Sequence, residues 1–339
     1  MNDFHIGTQS VVFANLPSIA ASAAVAGKKE GEGPLKDYFD EIQPDTTLGQ
    51  KSWEKAESQL QKHALDAALT KAGLSYGDLD VLFAGDLLNQ CISSSFAVRD
   101  TKIPFLGLYG ACSTMAESLL LSAGFVNAGY AKRAAALTSS HFASAERQYR
   151  FPLGYGGQRT PTAQWTVTAS GCCIVERSGK GPFVECATIG RIEDLGIKDA
   201  NNMGAAMAPA AISTIRRHFE DFGRRPQDYD LIVTGDLGLL GKRIVLEQLQ
   251  KDGFDLTGRY NDCGVMIFDT QTQDVHAGGS GCGCSASVLC GYLLSQMREG
   301  TLKRLLFCAT GALLSPVSTW QGESIPGVCH AVSIVSERR

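Results

Sequence analysis

The chain has 339 residues, of which 44% are hydrophobic and 19% charged, with a formal net charge of −4. That balance suits a globular protein with a sizeable core, and the absence of a Lys/Arg block argues against a surface built to neutralise nucleic-acid phosphates. No apolar run is long enough to cross a bilayer. The small apolar stretch at residues 11–26 is broken by Pro17 and has no basic leader, so it does not read as a signal peptide, and a cytosolic-side protein is expected.

In chain order, residues 6–13 read as a first strand, followed by a long polar segment. A helical pattern at 63–73 then gives way to Asp78-Leu-Asp-Val-Leu-Phe-Ala-Gly-Asp-Leu87. This string recurs as Asp228-Tyr-Asp-Leu-Ile-Val-Thr-Gly-Asp-Leu237, again behind a helical pattern, at 210–223. Short β-branched apolar runs of this kind read as buried parallel strands. A second match pairs the helix that begins at Cys112 and ends at Gly129, before Lys132-Arg133, with one that begins at Gly283 and ends at Gly300, before Lys303-Arg304. Strands are expected after each, at 134–139 and 305–310. A third match sets Cys172–Arg177 against Val332–Arg338. Such self-similarity implies a duplicated α/β body of two halves, residues 1–178 and 179–339, stacked as five layers with two sheets. A dinucleotide-binding fold fits less well, because its glycines belong between the first strand and its helix.

The eleven cysteines are odd in number and irregularly spaced, and most sit in apolar or glycine-rich strings. Reduced core thiols are therefore expected. Cys282 and Cys284 lack a second pair of ligands, so no metal site is expected. Cys112 differs from the others: a tight glycine turn meets a helix N-terminus there. Free amides and the helix dipole favour a thiolate or receive a ligand's carboxylate.

A cysteine at a strand–turn–helix elbow in the first half of a duplicated α/β chain resembles the thiolase and β-ketoacyl-synthase superfamily. Three strings are similar to those of the stage V sporulation protein AD family: Gly107-Leu-Tyr-Gly-Ala-Cys-Ser-Thr-Met-Ala-Glu117, Phe151-Pro-Leu-Gly-Tyr-Gly-Gly-Gln-Arg-Thr-Pro161 and Thr234-Gly-Asp-Leu-Gly238. The resemblance implies a thiolase-like five-layer αβαβα fold. It also implies a non-enzymatic protein that binds dipicolinic acid (pyridine-2,6-dicarboxylic acid) or its calcium complex, and acts with SpoVA membrane proteins to move that compound into the developing spore. Calcium carried by the ligand would be the one cofactor-like component. A homodimer is implied, held peripherally at the forespore or spore inner membrane through partner proteins.

Condensing enzymes of this superfamily need partners for the thiol. Alignment by motif puts Gly235, Gly238, Cys282 and Ile325 at the partner positions, so condensation is not expected. The alternative is a ketoacyl-synthase-like acyltransferase with Cys112 as nucleophile. For a flat dianion, the expected ligand-binding residues are Cys112, Ser113, His141, Arg150, Arg159, Asp236 and Cys282. The arginines lie in an aromatic-rich loop at 145–166. Asp236 matches Asp86 in the repeat, so a purely structural turn role stays open for it.

Overall fold

The computed structural model describes residues 4–149 and 158–338. Ten principal strands organise it. In the first half they are β1 (Ser18–Gly27), β2 (Val81–Gly85), β3 (Phe105–Gly107), β4 (Arg133–Ser140) and β5 (Ala169–Glu176). In the second half they are β6 (Phe183–Thr188), β7 (Leu231–Thr234), β8 (Tyr260–Asp262), β9 (Arg304–Ala312) and β10 (Gly327–Val335). The first five lie in the order β1-β5-β4-β2-β3 and the second five in the order β6-β10-β9-β7-β8. The two orders are the same pattern displaced by one repeat. Within each half the first two pairings are antiparallel and the last two parallel. An antiparallel bridge from Phe183 to Ser18 joins the halves edge to edge.

Alternation along the strands assigns side chains to layers. On β2, Leu82 faces outward to Leu60, Leu65 and Leu69 of α1 (Trp53–Ala72). Its neighbour Phe83 faces inward, to a core shared with Met115, Leu119 and Val126 of α2 (Thr114–Ala128). On β9, Phe307 joins that same inner core. Leu306 faces outward to Met207, Ile215 and Phe219 of α4 (Met203–Phe222) and Val245 of α5 (Gly238–Lys251). The second inner helix, α6, begins at Cys282–Ser287 and runs through a π turn at Val288–Leu293. The layers are therefore helix, sheet, helices, sheet, helices. The intervening helix α3 (Phe142–Tyr149) belongs to the site.

The repeated residues do the same work twice. Asp80 accepts hydrogen bonds from the amides of Lys132 and Arg133, and Asp230 from those of Lys303 and Arg304. Each carboxylate thus ties the entry of one strand to the entry of its parallel neighbour. α1, α2 and α4 each end on a left-handed glycine: Gly73, Gly129 and Gly223.

Two expectations are corrected. The first core strand is β1, which begins in the apolar stretch at 11–26, whereas residues 6–13 supply a small hairpin of His5–Ile6 with Ser10–Val12, whose second strand pairs antiparallel with Cys186–Thr188 of β6 at the edge of the main sheet. Pro17 precedes β1 and so does not interrupt it. The helix expected at 63–73 begins a full ten residues earlier, at Trp53, where Ser52 caps the Lys55 amide. No helix is long and apolar enough to cross a membrane, among the described residues.

Candidate functional site

The Cys112 elbow forms where β9 packs against the backbone of the turn, and glycines give the room this needs. A Cβ on Gly110 would lie 2.6 Å from both the Glu117 carboxylate and the Ser113 hydroxyl. A Cβ on Gly311 of β9 would lie 2.3 Å from the Gly110 carbonyl and 3.3 Å from the Cys112 amide nitrogen. Ala111 takes a left-handed φ of 49°, a conformation costing an L-residue roughly 1–2 kcal/mol. The second half of the chain thus presses on the turn that carries the first half's cysteine. Cys112 follows in the single turn Ala111–Ser113 and leads into α2.

Asp236, just past the end of β7, lies near Cys112, since its partner Thr310 adjoins Gly311, which packs on the Cys112 amide. Its carboxylate accepts hydrogen bonds from the Thr310 hydroxyl (2.8 Å), the Gly281 amide (2.9 Å) and the Ser280 hydroxyl (3.2 Å). Burial, then the Asp236 charge, push the Cys112 thiol well above its ordinary range, and the Gly281 N–H opposes this only in part. Burial also raises the Asp236 carboxyl. Behind it, Asp262 accepts from the amides of Leu237 and Gly238 and the hydroxyl of Thr234, which fixes the loop carrying Asp236.

The partner positions of a condensing enzyme are crowded. A Cβ on Gly238 would lie 2.5 Å from the Ala277 carbonyl, and one on Gly235 only 3.1 Å from Cα of Ala309. A side chain at Gly238 would run into backbone, and one at Gly235 would be tight. Ile325 is buried in the outer core of the second half, among α4 residues. Cys282 does join Cys112 in a small cluster with Leu87, Ala111 and Ala145, but its thiol donates to the Ser139 carbonyl at 2.9 Å. Burial raises that thiol well above its ordinary range as well.

Over Cys112 lies a small cavity of about 40 Å³. Its walls are apolar, from Leu87, Ala145, Met203, Ala312 and Leu314. Polar atoms come from Cys112, Ser280, Thr166, Tyr149 and Glu146. A short parallel pair, Trp165–Thr166 with Gly279–Ser280, sets Thr166 and Ser280 side by side on its rim. Thr166 donates to the Glu146 carboxylate at 2.9 Å. Tyr149 donates to the Leu87 carbonyl and shares a 2.7 Å hydrogen bond with Tyr109. The described lining carries one carboxylate and no lysine, arginine or histidine.

Of the expected ligand-binding residues, Cys112, Asp236 and Cys282 come together. Ser113 turns its hydroxyl back to the Gly110 carbonyl. His141 caps its own turn: Nε2 meets the Thr46 carbonyl and Nδ1 accepts from the Ala143 amide, so both ring nitrogens are committed away from the cavity. Arg159 lies over the Trp165 ring, 4.7 Å from its centroid, and donates to the Asp274 carbonyl. Arg150 lies outside the described residues. Sequence reasoning missed Glu146, Met203 and Leu314. Their distance from Cys112 along the chain hid them, although Leu87 was visible as the last residue of the repeated Gly-Asp-Leu.

The family model for stage V sporulation protein AD matches residues 7–335. The chain is 47% identical over 326 residues to the stage V sporulation protein AD of Bacillus subtilis (strain 168), covering 96% of each. Among solved structures, it is similar to the 3-oxoacyl-[acyl-carrier-protein] synthase III of Aquifex aeolicus VF5, with a TM-score of 0.58, 13% identity, and coverage of 94% of this chain and 99% of that one. A Xanthomonas campestris OleA variant aligns with a TM-score of 0.62 and 14% identity, covering 96% of this chain and 97% of that one. At such identities the two enzymes establish the thiolase-type fold and nothing about activity.

Proposed function

Because the chain belongs to the stage V sporulation protein AD family, we propose that it binds dipicolinic acid in the Cys112 cavity and serves its movement into the developing spore, without forming a bond to it. The observation that carries this reading is the cavity itself: apolar walls and a polar floor at a helix start suit a small flat acid. The same floor lacks what condensation requires. Burial and the Asp236 charge raise its thiol well above the ordinary range, and glycines stand at the positions that motif alignment assigns to a histidine and an asparagine.

The charge of the lining favours one form of the ligand. Glu146 faces the cavity and Asp236 lies beneath its floor. Two ligand carboxylates without a counter-charge would be repelled. The calcium complex meets that demand, since the metal neutralises the ligand and accepts a carboxylate oxygen from the protein. We assign the calcium complex as the preferred ligand. Calorimetric titration with dipicolinate, with and without equimolar calcium, tests this: tighter binding with calcium supports it, and no heat and no thermal shift at millimolar ligand sinks the whole reading. Incubation with acetyl- or malonyl-CoA should leave the Cys112 peptide unmodified by mass spectrometry.

The assembly belongs to the same proposal. β3 is the outermost strand of its half, and Leu106, Tyr109, Phe96 and Ile92 stand exposed around it. A second copy pairing there would cover them. Attachment to the spore inner membrane is assigned to SpoVA partner proteins. Sedimentation of the purified chain checks the dimer, and substitution of Leu106 by Arg should yield monomers.

A further inference from the structure

We propose that Cys173 and Cys290 form a cross-linking site, at which oxidation by a peroxide joins the two halves of the chain through a disulfide. Both cysteines are free and buried, their sulfurs lie 3.5 Å apart, and 117 positions separate them in the chain. Cys173 stands on β5 of the first half, and Cys290 in the π turn of α6 in the second.

Register and a glycine build this contact. Ser22 of β1 and Cys173 of β5 are directly opposite each other, so their side chains share one face of the sheet. The Ser22 hydroxyl donates to the Cys290 carbonyl at 2.8 Å, which fixes the π turn over that pair. Gly291 lets the turn settle onto β1: a Cβ there would lie 2.6 Å from the Tyr38 carbonyl and 3.3 Å from Cβ of Ala24. Cys173 and Cys290 therefore share the inner core, whereas Cys172, one residue away, faces outward to α1.

The site is slow to react but not sealed. Burial first, then the Cys173 thiol, raise the Cys290 thiol, and Arg298 opposes this only in part. A protonated thiol is a poor nucleophile. Ser22 nevertheless links the pair to two exposed cations: the Arg298 guanidinium donates to its hydroxyl at 3.0 Å and the Lys71 ammonium to its carbonyl at 2.9 Å. Hydrogen peroxide is small enough to follow such a path. It converts one thiol to a sulfenic acid and releases a water; the other thiol then attacks that sulfur and expels a second water. Two thiols and one peroxide thus give one disulfide and two waters. The second step joins atoms already in contact, which favours it over further oxidation.

The inference needs no ligand and can fail while the ligand reading stands. The test is exposure of the full folded chain to millimolar hydrogen peroxide, then alkylation, digestion without reduction and mass spectrometry. The expected product is a linked peptide pair holding Cys173 and Cys290, lighter than its reduced parts by two hydrogens. Closing so long a loop should raise the thermal midpoint by about 5 °C over the same chain after reduction. Cys172→Ala should keep the link, and Cys173→Ala should abolish it. The absence of a linked peptide from the native chain, its appearance only in urea, or a link through Cys172 in place of Cys173 overturns the proposal.

Discussion

The two halves of the chain share one strand order, yet only the first elbow leaves room for a side chain. Cys112 and Gly283 are equivalent in the repeat, seventeen residues before a helix-ending glycine in each case. Cys112 opens onto a cavity. At Gly283 a Cβ would lie 2.3 Å from the Ala169 carbonyl and 2.7 Å from the Ser140 hydroxyl, because the second elbow is pressed onto β4 and β5. The aspartates diverge in the same way. Asp86 accepts from the amides of Leu88 and Ser94 and from the Ser94 hydroxyl, which shapes its own loop. Asp236 spends its equivalent carboxylate on Thr310 of β9 and on Ser280 and Gly281 just before α6. Duplication thus supplied two similar elbows, and asymmetric docking made one a site and the other a filler.

The sharpest way to break this comparison is to put a side chain where the second elbow admits none. Gly283→Ala should cost about 4 kcal/mol or more, seen as a collapse of soluble yield or of the urea midpoint, whereas Cys112→Ala should cost about 1 kcal/mol. Equal losses would mean that the elbows are packed alike. Next in size is Asp86→Ala, which strands buried donors and should cost about 2–3 kcal/mol while leaving the pH profile of Cys112 alkylation where it was.

A third effect concerns pH. Burial first, and the charge of Asp86 second, raise the Glu57 carboxyl, which sits under the first half beside Ser139 and Ser144. The folded chain therefore keeps a proton that the unfolded chain releases, and this contribution is full below the ordinary glutamate pKa and lost as pH rises through the raised one. Glu57→Gln should flatten the fall in urea midpoint between pH 5 and pH 8; an unchanged slope assigns it to other groups. The smallest expected effect is that of Arg159→Ala on dipicolinate binding, less than about threefold in affinity because the guanidinium is stacked on Trp165 and bonded to Asp274. A tenfold loss would place Arg159 at the ligand.

Much of the fold was legible because it was written twice. Asp80 and Asp230, Gly129 and Gly300, and the Lys-Arg pairs all mark strand and helix ends by local chemistry, which repeats wherever the residues do. The elbow at Cys112 was legible for the same reason. Less of the site was. His141 and Arg159 are the residue types a dianion site calls for, but type does not reveal direction. His141 is bound to a carbonyl from residue 46, and Arg159 to one from residue 274. No local pattern announces partners so far along the chain.

The sequence by itself determined the duplicated α/β architecture, the reduced buried thiols and the place of Cys112 at a turn that leads into a helix, since periodicity, turn residues and composition are local properties. Only the tertiary structure decided what that cysteine is. Asp236 comes near it from 124 positions away in the chain, with Thr310 and Gly281 completing the set. A buried carboxylate raises the pKa of a thiol placed near it, and packing between the two halves, which no stretch of either half encodes alone, sets the two near each other.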